Sequence, residues 1–215
     1  MADFLSWIRT DGLAVIIVAL LLFYGSKFAN LFLERLKGDK KSGREHDRLA
    51  DLRMRIDSKA RIVLDRAVLR TRADRAYVCE FHNGTTGLSG LPFLKASCIY
   101  EVVAVGVMSR AALRQDMSLH LYATFMDQVC RLPVTIADVN NRDATETPLG
   151  YEHLVSLGVA VCIRARITDI SQRPIGYVGL DYNSPPDQAT VEVAIPILQD
   201  VAVAIGAMLS VEKGR

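Results

Sequence analysis

Cysteine and histidine are the residues of this 215-residue chain best suited to nucleophilic or metal chemistry. Its four cysteines, Cys79, Cys98, Cys130 and Cys162, lie 19, 32 and 32 positions apart, which is not the spacing of a C-x-x-C pair or of a disulfide framework. The four histidines also lack the spacing of paired metal ligands. Scattered cysteines in apolar stretches are usually small core residues. The sequence therefore predicts no metal site and no cofactor.

Cys79 and His82 lie three positions apart at the end of a predicted strand. Alternation along a strand directs such side chains to opposite faces, whereas a thiolate–imidazole pair needs hydrogen-bond contact. We interpret them as a core thiol and a loop histidine. The glycines that follow, at 84, 87 and 90, lack the Gly-Lys-Ser/Thr ending of a phosphate-binding loop. Enzymatic catalysis is not predicted.

Two charged residues, Glu101 and Arg164, lie within apolar strand-like segments. Each could point outward from the sheet, which is the commoner arrangement, or could be a charged group in a pocket for an ion. Strand alternation by itself leaves both interpretations open.

The N-terminal segment 13–24, LAVIIVALLLFY, contains no charge. A membrane-spanning helix needs about 20 apolar residues, so this one must continue to about Leu33, with Lys27 reaching the head groups. An interfacial helix and a buried core helix are alternatives, and so is a signal peptide, although its basic start and small-residue cleavage site are missing. We predict a transmembrane anchor and interfacial helix over residues 1–36.

Basic residues follow the predicted anchor, while Arg9 alone precedes it. This asymmetry favours a single-pass protein of the inner membrane with its soluble domain in the cytoplasm. Residues 37–45 form a predicted basic linker. Its predicted membrane-surface residues are Lys37, Lys40, Lys41 and Arg44, which would contact anionic lipid. The alternative is that the basic segment simply faces solvent. Nucleic-acid binding is not predicted, because aspartates interrupt the basic helix that follows and no aromatic platform accompanies it.

Residues 46–215 fit one domain. In it, segments with the 3.6-residue apolar period of a helix alternate with segments that have the two-residue period of a strand. Helices are predicted over 45–72, 111–130, 151–157 and 187–211, with Pro196 kinking the last or shifting its start. Strands are predicted over 75–81, 94–103, 133–139, 159–167 and 175–182. This order predicts an α+β fold, in which helices sandwich an antiparallel sheet.

Three features resemble the GAF family over Asp47 to Lys213: LPVTIADV, HLVSLGVAVCIRARITDISQRPIGYVGLDY and the long terminal helix. The resemblance implies a GAF-like fold that forms a homodimer or higher homo-oligomer through its first and last helices. It also implies a small-molecule pocket between the sheet and the intervening helices. By resemblance, the pocket wall would comprise Cys79, Phe81, Cys98, Tyr100, Phe125, Cys162 and Arg164.

The chain also departs from known GAF patterns. The asparagine-lysine-phenylalanine-aspartate-glutamate motif of cyclic-nucleotide-binding members and the chromophore-attachment sequence of phytochromes are missing. The segment RAYVCEFHNG is similar to small GAF-like proteins of bacteriophages. Our hypothesis is a non-catalytic, membrane-anchored module that binds a small ligand or a protein partner at the inner membrane face. The alternatives are a holin-type phage lysis protein with a regulatory soluble domain and a GAF-type thiol redox enzyme.

Overall fold

Six antiparallel strands form the centre of the protein in a computed structural model that describes residues 50–86, 92–141 and 148–211. The predicted anchor, the basic linker and the basic residues Lys37, Lys40, Lys41 and Arg44 lie outside the described residues. The strand order is β3-β2-β1-β6-β5-β4. The strands are β1 (Arg75–Thr86), β2 (Pro92–Val103), β3 (Met117–Ser118), β4 (Val134–Asp138), β5 (Val161–Thr168) and β6 (Pro174–Tyr182).

Within the described residues, four α-helices accompany the sheet: α1 (50–71), α2 (Ala123–Arg131), α3 (Pro148–Ser156) and α4 (Gln188–Val211). Two short 3-10 helices, Ala111–Arg114 and Leu119–Tyr122, flank β3. Helix α3 stops before Gly158, whose φ of 67° is accessible to glycine at little cost. The α+β prediction is confirmed, since the order of the long elements is the predicted one.

Helices α1 and α4 bury apolar stripes at helical spacing. The α1 stripe contains Ile56, Ala60, Leu64 and Ala67. Helix α4 packs on β5 and β6, and a Cβ on Gly206 would lie 2.6 Å from the Thr168 carbonyl oxygen, so only glycine permits this close approach. Pro196 lies inside α4 and does not mark its start.

Helix α4 has a second property that bears on membrane association. Among the described residues, Gln188–Ser210 is a helix long and apolar enough to cross a membrane, with a mean hydropathy of 1.8. In its most apolar stretch, 44% of the residues are buried within the protein. The segment predicted as an anchor is a different one and is not among the described residues.

Strand alternation gives the sheet two chemically distinct faces. We call the side that packs against α4 the helix face; its side chains include Val78, Ile163, Ala165, Ile167, Val178 and Leu180. We call the opposite side the cavity face; with α2 and α3 it encloses a second core that includes Tyr77, Cys79, Cys98, Cys162 and Tyr177.

The predicted helix over 111–130 is wrong in its first half. Only Ala123–Arg131 is α-helical, and Met117–Ser118 instead pairs with Lys95–Ala96 of β2 as an edge strand. Asp116, at φ 51°, provides the left-handed turn before that strand. A tertiary interaction overrides the local periodicity here, because Arg114 is drawn into the interior, where only 2% of it is exposed.

Candidate ligand-binding cavity

A small cavity lies between the cavity face of the sheet and helices α2 and α3. Its volume, measured as the space open to the centres of water molecules, is about 30 Å³. The sheet, the segment around β3, and the two helices all contribute to its wall. The lining residues are Tyr77, Arg114, Met117, Leu119, Tyr122, Phe125, Gly150, His153, Leu154, Leu157, Arg164 and Tyr177.

Arg114 is the most constrained charged group at the cavity. Its guanidinium forms an ion pair with Asp181, which is fully buried, and its Nη1 lies 3.4 Å from Oε1 of Glu101. Glu101 also accepts hydrogen bonds from the backbone N–H groups of Arg110 and Ala111 at 2.9 and 3.1 Å. A buried charge persists only when it is paired and hydrogen-bonded. These contacts therefore fix Arg114 in place.

Tyr77 forms the floor of the cavity beneath Arg114. The guanidinium carbon of Arg114 lies 3.9 Å from the Tyr77 ring centroid, a cation–π contact. The ring extends over Gly179 of β6, where a Cβ would lie 2.4 Å from the ring carbon Cζ. Its hydroxyl lies 3.3 Å from Sγ of Cys162. Burial, followed by the charge of Asp181, raises the pKa of Tyr77, so the phenol remains protonated.

Arg164 brings a second guanidinium to the wall. It extends from β5, is 8% exposed, and stacks over Phe125 with 4.3 Å between its Cζ and the ring centroid. Phe125 in turn meets Tyr177 edge to face, with 5.1 Å between centroids. The aromatic rings hold the guanidinium in an apolar setting, where its electric field is weakly screened.

The charges around the cavity affect the pKa of His153, a residue of α3. Burial lowers its pKa below the usual value of 6.5, and the positive charges of Arg114 and Arg164 lower it further, whereas Asp181 opposes them. The imidazole is therefore neutral at pH 7. Two guanidinium groups thus border a space whose other walls are largely apolar, and Arg114 is paired with Asp181 and Glu101, which do not line it.

The volume limits what can occupy the cavity. A water molecule needs about 10–15 Å³ measured in this way, so about two waters fit. Drug-sized ligands occupy pockets of about 300–1,000 Å³, and they would require the wall side chains to move. The described conformation suits a ligand of a few heavy atoms that carries negative charge.

The predicted wall residues fall into three groups. Phe125 and Arg164 line the cavity. Phe81 packs against the adjoining core, to which Cys79, Cys98 and Cys162 belong. Tyr100 lies elsewhere: its hydroxyl donates a 2.7 Å hydrogen bond to Asp57 of α1, on the other side of the sheet.

A β-bulge explains the position of Tyr100. Val78 is paired with Tyr100, but the next residue, Cys79, is paired with Cys98, so Ile99 is the extra residue. The bulge places Cys98 and Tyr100 on opposite faces although they have the same parity in the sequence. Of the two charged strand residues left open by the sequence, Arg164 lines the cavity, and the Glu101 side chain is 3% exposed beside Arg114.

Sequence reasoning missed Arg114, His153, Tyr77 and Tyr177 as wall residues. One signal was available: Asp181 is an acidic residue within the apolar strand IGYVGLDY, and a buried acid requires a cationic partner. Which arginine supplies it depends on the path of residues 104–122, and local patterns do not determine that path. Cys79 and His82 do not form a pair, since His82 bonds Ser97 Oγ at 2.9 Å and Cys79 is fully buried.

Comparison with known proteins bears on the fold. No protein-family model and no curated protein sequence matches this chain. Among solved structures, it is similar to the phycocyanobilin-bound GAF domain of a cyanobacterial phytochrome, with 15% identity and a TM-score of 0.55 over 78% of this chain and 93% of that one.

Two further structures give the same result. A GAF3 domain of Synechocystis in its photoproduct state is 16% identical, with a TM-score of 0.52 over 74% of this chain and 99% of the other. The blue-light absorbing form of the PixJ GAF domain of Thermosynechococcus elongatus is 12% identical, with a TM-score of 0.51 over 75% and 91%. The domain described here therefore has a GAF-like fold, as the sequence resemblance predicted.

Proposed function

We propose that this protein is a non-catalytic, membrane-anchored GAF-like module that binds a small anionic ligand, such as a short carboxylate, in the cavity beneath α2 and α3. The observation that carries the proposal is the pair of guanidinium groups, Arg114 and Arg164, lining one small cavity. Arg114 is held by Asp181 and Glu101, neither of which lines the cavity. Arg164 is placed to make the charge-assisted contact with the ligand.

A non-catalytic role of the cavity itself is supported by the neutral state of two nucleophiles, Cys162 and Tyr77. Burial raises the pKa of Cys162 to about 12, so its thiol remains protonated at neutral pH. The Tyr77 phenol is likewise held neutral. Neither group is activated for attack, because a nucleophile needs a lowered pKa or an adjacent base. Ligand occupancy would then act by changing the packing of α2 and α3 on the sheet.

Ligand binding is tested with a panel of short carboxylates, nitrate and phosphate, using thermal shift and calorimetry on the full chain in mild detergent. Arg164→Gln should weaken binding at least tenfold, since a hydrogen bond to a charged group contributes about 1.5–3 kcal/mol. Arg166→Gln is the matched control: Arg166 lies on the same strand, but it donates to the Cys130 carbonyl and does not line the cavity. Equal affinities of the two variants, or no binding by any anion, would contradict the proposal.

Self-association through α1 and α4 is part of the proposed function. The exposed face of α1 carries Met54, Ile62 and Leu69, which are 62, 50 and 72% exposed. The exposed face of α4 carries Val193 and Val203, at 52 and 73%. The charges on these faces are complementary between the helices, because exposed basic residues predominate on α1 and exposed acidic residues on α4. On α1 the exposed basic residues are Arg55, Lys59, Arg61, Arg66 and Arg70, and the exposed acidic residues are Asp51 and Asp65. On α4 the exposed charged residues are Glu192 and Asp200. A two-fold dimer would pair α1 of one copy with α4 of the other.

Sedimentation of the full chain in detergent tests this arrangement. Val203→Glu should shift a dimer to monomer. Ile170→Glu should not, because Ile170 is an equally exposed apolar residue in the β5–β6 turn. A wild-type chain that remains monomeric at high concentration would exclude the dimer.

The proposed topology, with the domain in the cytoplasm, can be tested separately. Reporters fused after Arg215 should be active if they fold in the cytoplasm and inactive if they require the periplasm. The reverse result, combined with abrupt loss of membrane potential on expression, would favour the holin-type alternative.

A further inference from the structure

Cys79 and Cys98 lie directly opposite each other on neighbouring strands. They are paired residues of the antiparallel β1–β2 ladder. Opposed residues in such a ladder have Cα atoms about 4.5 or 5.5 Å apart, and a disulfide requires about 4.4–6.8 Å. Opposed positions of an antiparallel ladder thus lie within the Cα range of a disulfide.

The two thiols belong to one buried cluster with Tyr177 of β6, and they influence each other's ionisation. The Cys98 thiol lies 3.2 Å from the Tyr100 carbonyl oxygen, to which it donates a hydrogen bond. Cys79 is fully buried and Cys98 is 6% exposed, so Cys98 is on the more accessible side of the pair. Because Ile99 is bulged out of the ladder, the residue opposite Cys79 is Cys98.

The surroundings shift the pKa values of the two thiols in opposite directions. Burial opposes ionisation of Cys79, but hydrogen bonds from Cys98 and Tyr177 outweigh it and lower the pKa of Cys79. The hydrogen bond to Cys79, followed by burial, raises the pKa of Cys98. Of the two thiols, Cys79 therefore ionises more readily than Cys98.

We propose that Cys79 and Cys98 are a redox modification site that forms a reversible disulfide in the folded protein, with a hydroperoxide as the oxidant. The Cys79 thiolate attacks the terminal peroxide oxygen, the O–O bond breaks, and the leaving oxygen takes up a proton to become water or an alcohol. Cys98 then attacks the resulting sulfenic sulfur and releases its own proton, and the hydroxyl departs as water. The two sulfurs together lose two electrons, and the hydroperoxide gains them.

Neither of the other two cysteines has this arrangement. Cys162 is paired across the ladder with Ala137 and Asp181, and Sγ contacts the Tyr77 hydroxyl. Cys130 is exposed. Oxidation should therefore be selective for the Cys79–Cys98 pair within one chain.

The experiment treats the full chain, carrying Cys130→Ser to prevent cross-linking between chains, with hydrogen peroxide. The protein is then denatured, alkylated, digested with trypsin and analysed by mass spectrometry. Cleavage after Lys95 separates Cys79 from Cys98, and Cys162 lies in a third peptide, so each possible bridge is distinct. The expected product links the first two peptides, has lost two hydrogen atoms, and disappears on reduction with dithiothreitol.

Two variants complete the test. Cys98→Ser should abolish the link and leave a sulfenic acid on Cys79 that a dimedone probe captures. Cys162→Ser should leave the link intact, and a circular dichroism spectrum like that of the parent chain shows that each variant folds. Full alkylation of both cysteines after peroxide treatment, or a bridge that includes Cys162, would overturn the proposal.

Discussion

The two faces of the sheet share a backbone but differ in chemistry. On the helix face, Val78, Ile163, Val178 and Leu180 are fully buried aliphatic residues. On the cavity face, the same strands carry Tyr77, Cys79, Arg164, Tyr177 and Asp181, all 8% exposed or less. One set of strands can therefore serve two purposes, because side-chain alternation separates a face that only packs from a face that holds polar groups in fixed geometry.

The energetic rules of the two faces also differ. Aliphatic packing tolerates exchanges that conserve volume, because its attraction is non-directional. A buried ion pair does not, because removing one partner leaves the other charge desolvated without compensation. Substitutions of similar size should therefore have unequal effects on the two faces.

The largest contrast is expected between neighbouring residues of β6. Asp181→Asn, nearly isosteric on the cavity face, should lower the free energy of unfolding by up to about 3–5 kcal/mol, because Arg114 then retains only Glu101, 3.4 Å away, as a buried counterion. Leu180→Met on the helix face should cost less than about 1.5 kcal/mol. Chemical denaturation measures both changes. Near-equal losses of unfolding free energy would contradict the proposed difference between the two faces. In an Arg114→Met background, Asp181→Asn should cost less than it does alone.

A smaller contrast should be seen between Phe125 and Ile163. Phe125→Leu removes the ring that contacts both Arg164 and Tyr177, and it should cost about 1–3 kcal/mol. Ile163→Val removes one methylene from the helix face and should cost about 0.5–1.5 kcal/mol. Thermal and denaturant unfolding provide the comparison. If the proposed anion site is correct, Phe125→Leu should also weaken ligand binding, while Ile163→Val should leave it unchanged.

A substitution at Tyr100 tests on which face of the sheet this side chain lies. Tyr100→Phe removes the hydrogen bond to Asp57 and should lower stability by about 0.5–1.5 kcal/mol. It should leave anion binding at the cavity unaltered, since the side chain is on the other side of the sheet. A binding defect comparable to that of Arg164→Gln would instead place Tyr100 in the cavity wall.

His153 gives the smallest effect, a pH dependence confined to the cavity face. Its pKa is lowered in the folded state, so the unfolded chain takes up its proton first as pH falls. Stability should therefore be constant above about pH 7 and should decline below about pH 6.5, until the folded-state pKa is also passed. His153→Gln should flatten this part of the profile relative to the wild type. A pH profile of stability that this substitution leaves unchanged would show that the pKa of His153 is not lowered in the folded state.

Much of the fold followed from short-range patterns. The stripe Ile56, Ala60, Ala67 predicted α1, and the alternation in IGYVGLDY predicted β6. The prediction was wrong where a distant partner intervened: the apolar period through Met117 and Leu121 favoured a helix, but the pairing of Arg114 with Asp181 and Glu101 and the edge strand β3 override it. The family resemblance located Phe125 and Arg164 in the wall without locating Arg114 or His153.

Local sequence patterns are enough to predict the order of the long elements and the residues that form two apolar helix stripes and a sheet. These features depend on neighbours within a few positions, which the apolar period records directly. The cavity, the displacement of Tyr100 and the pairing of Cys79 with Cys98 arise from the tertiary structure. Each depends on strand register or on a contact such as Arg114–Asp181, 67 positions apart. A single bulged residue, Ile99, changes which side chains share a face, because side-chain alternation has a period of two.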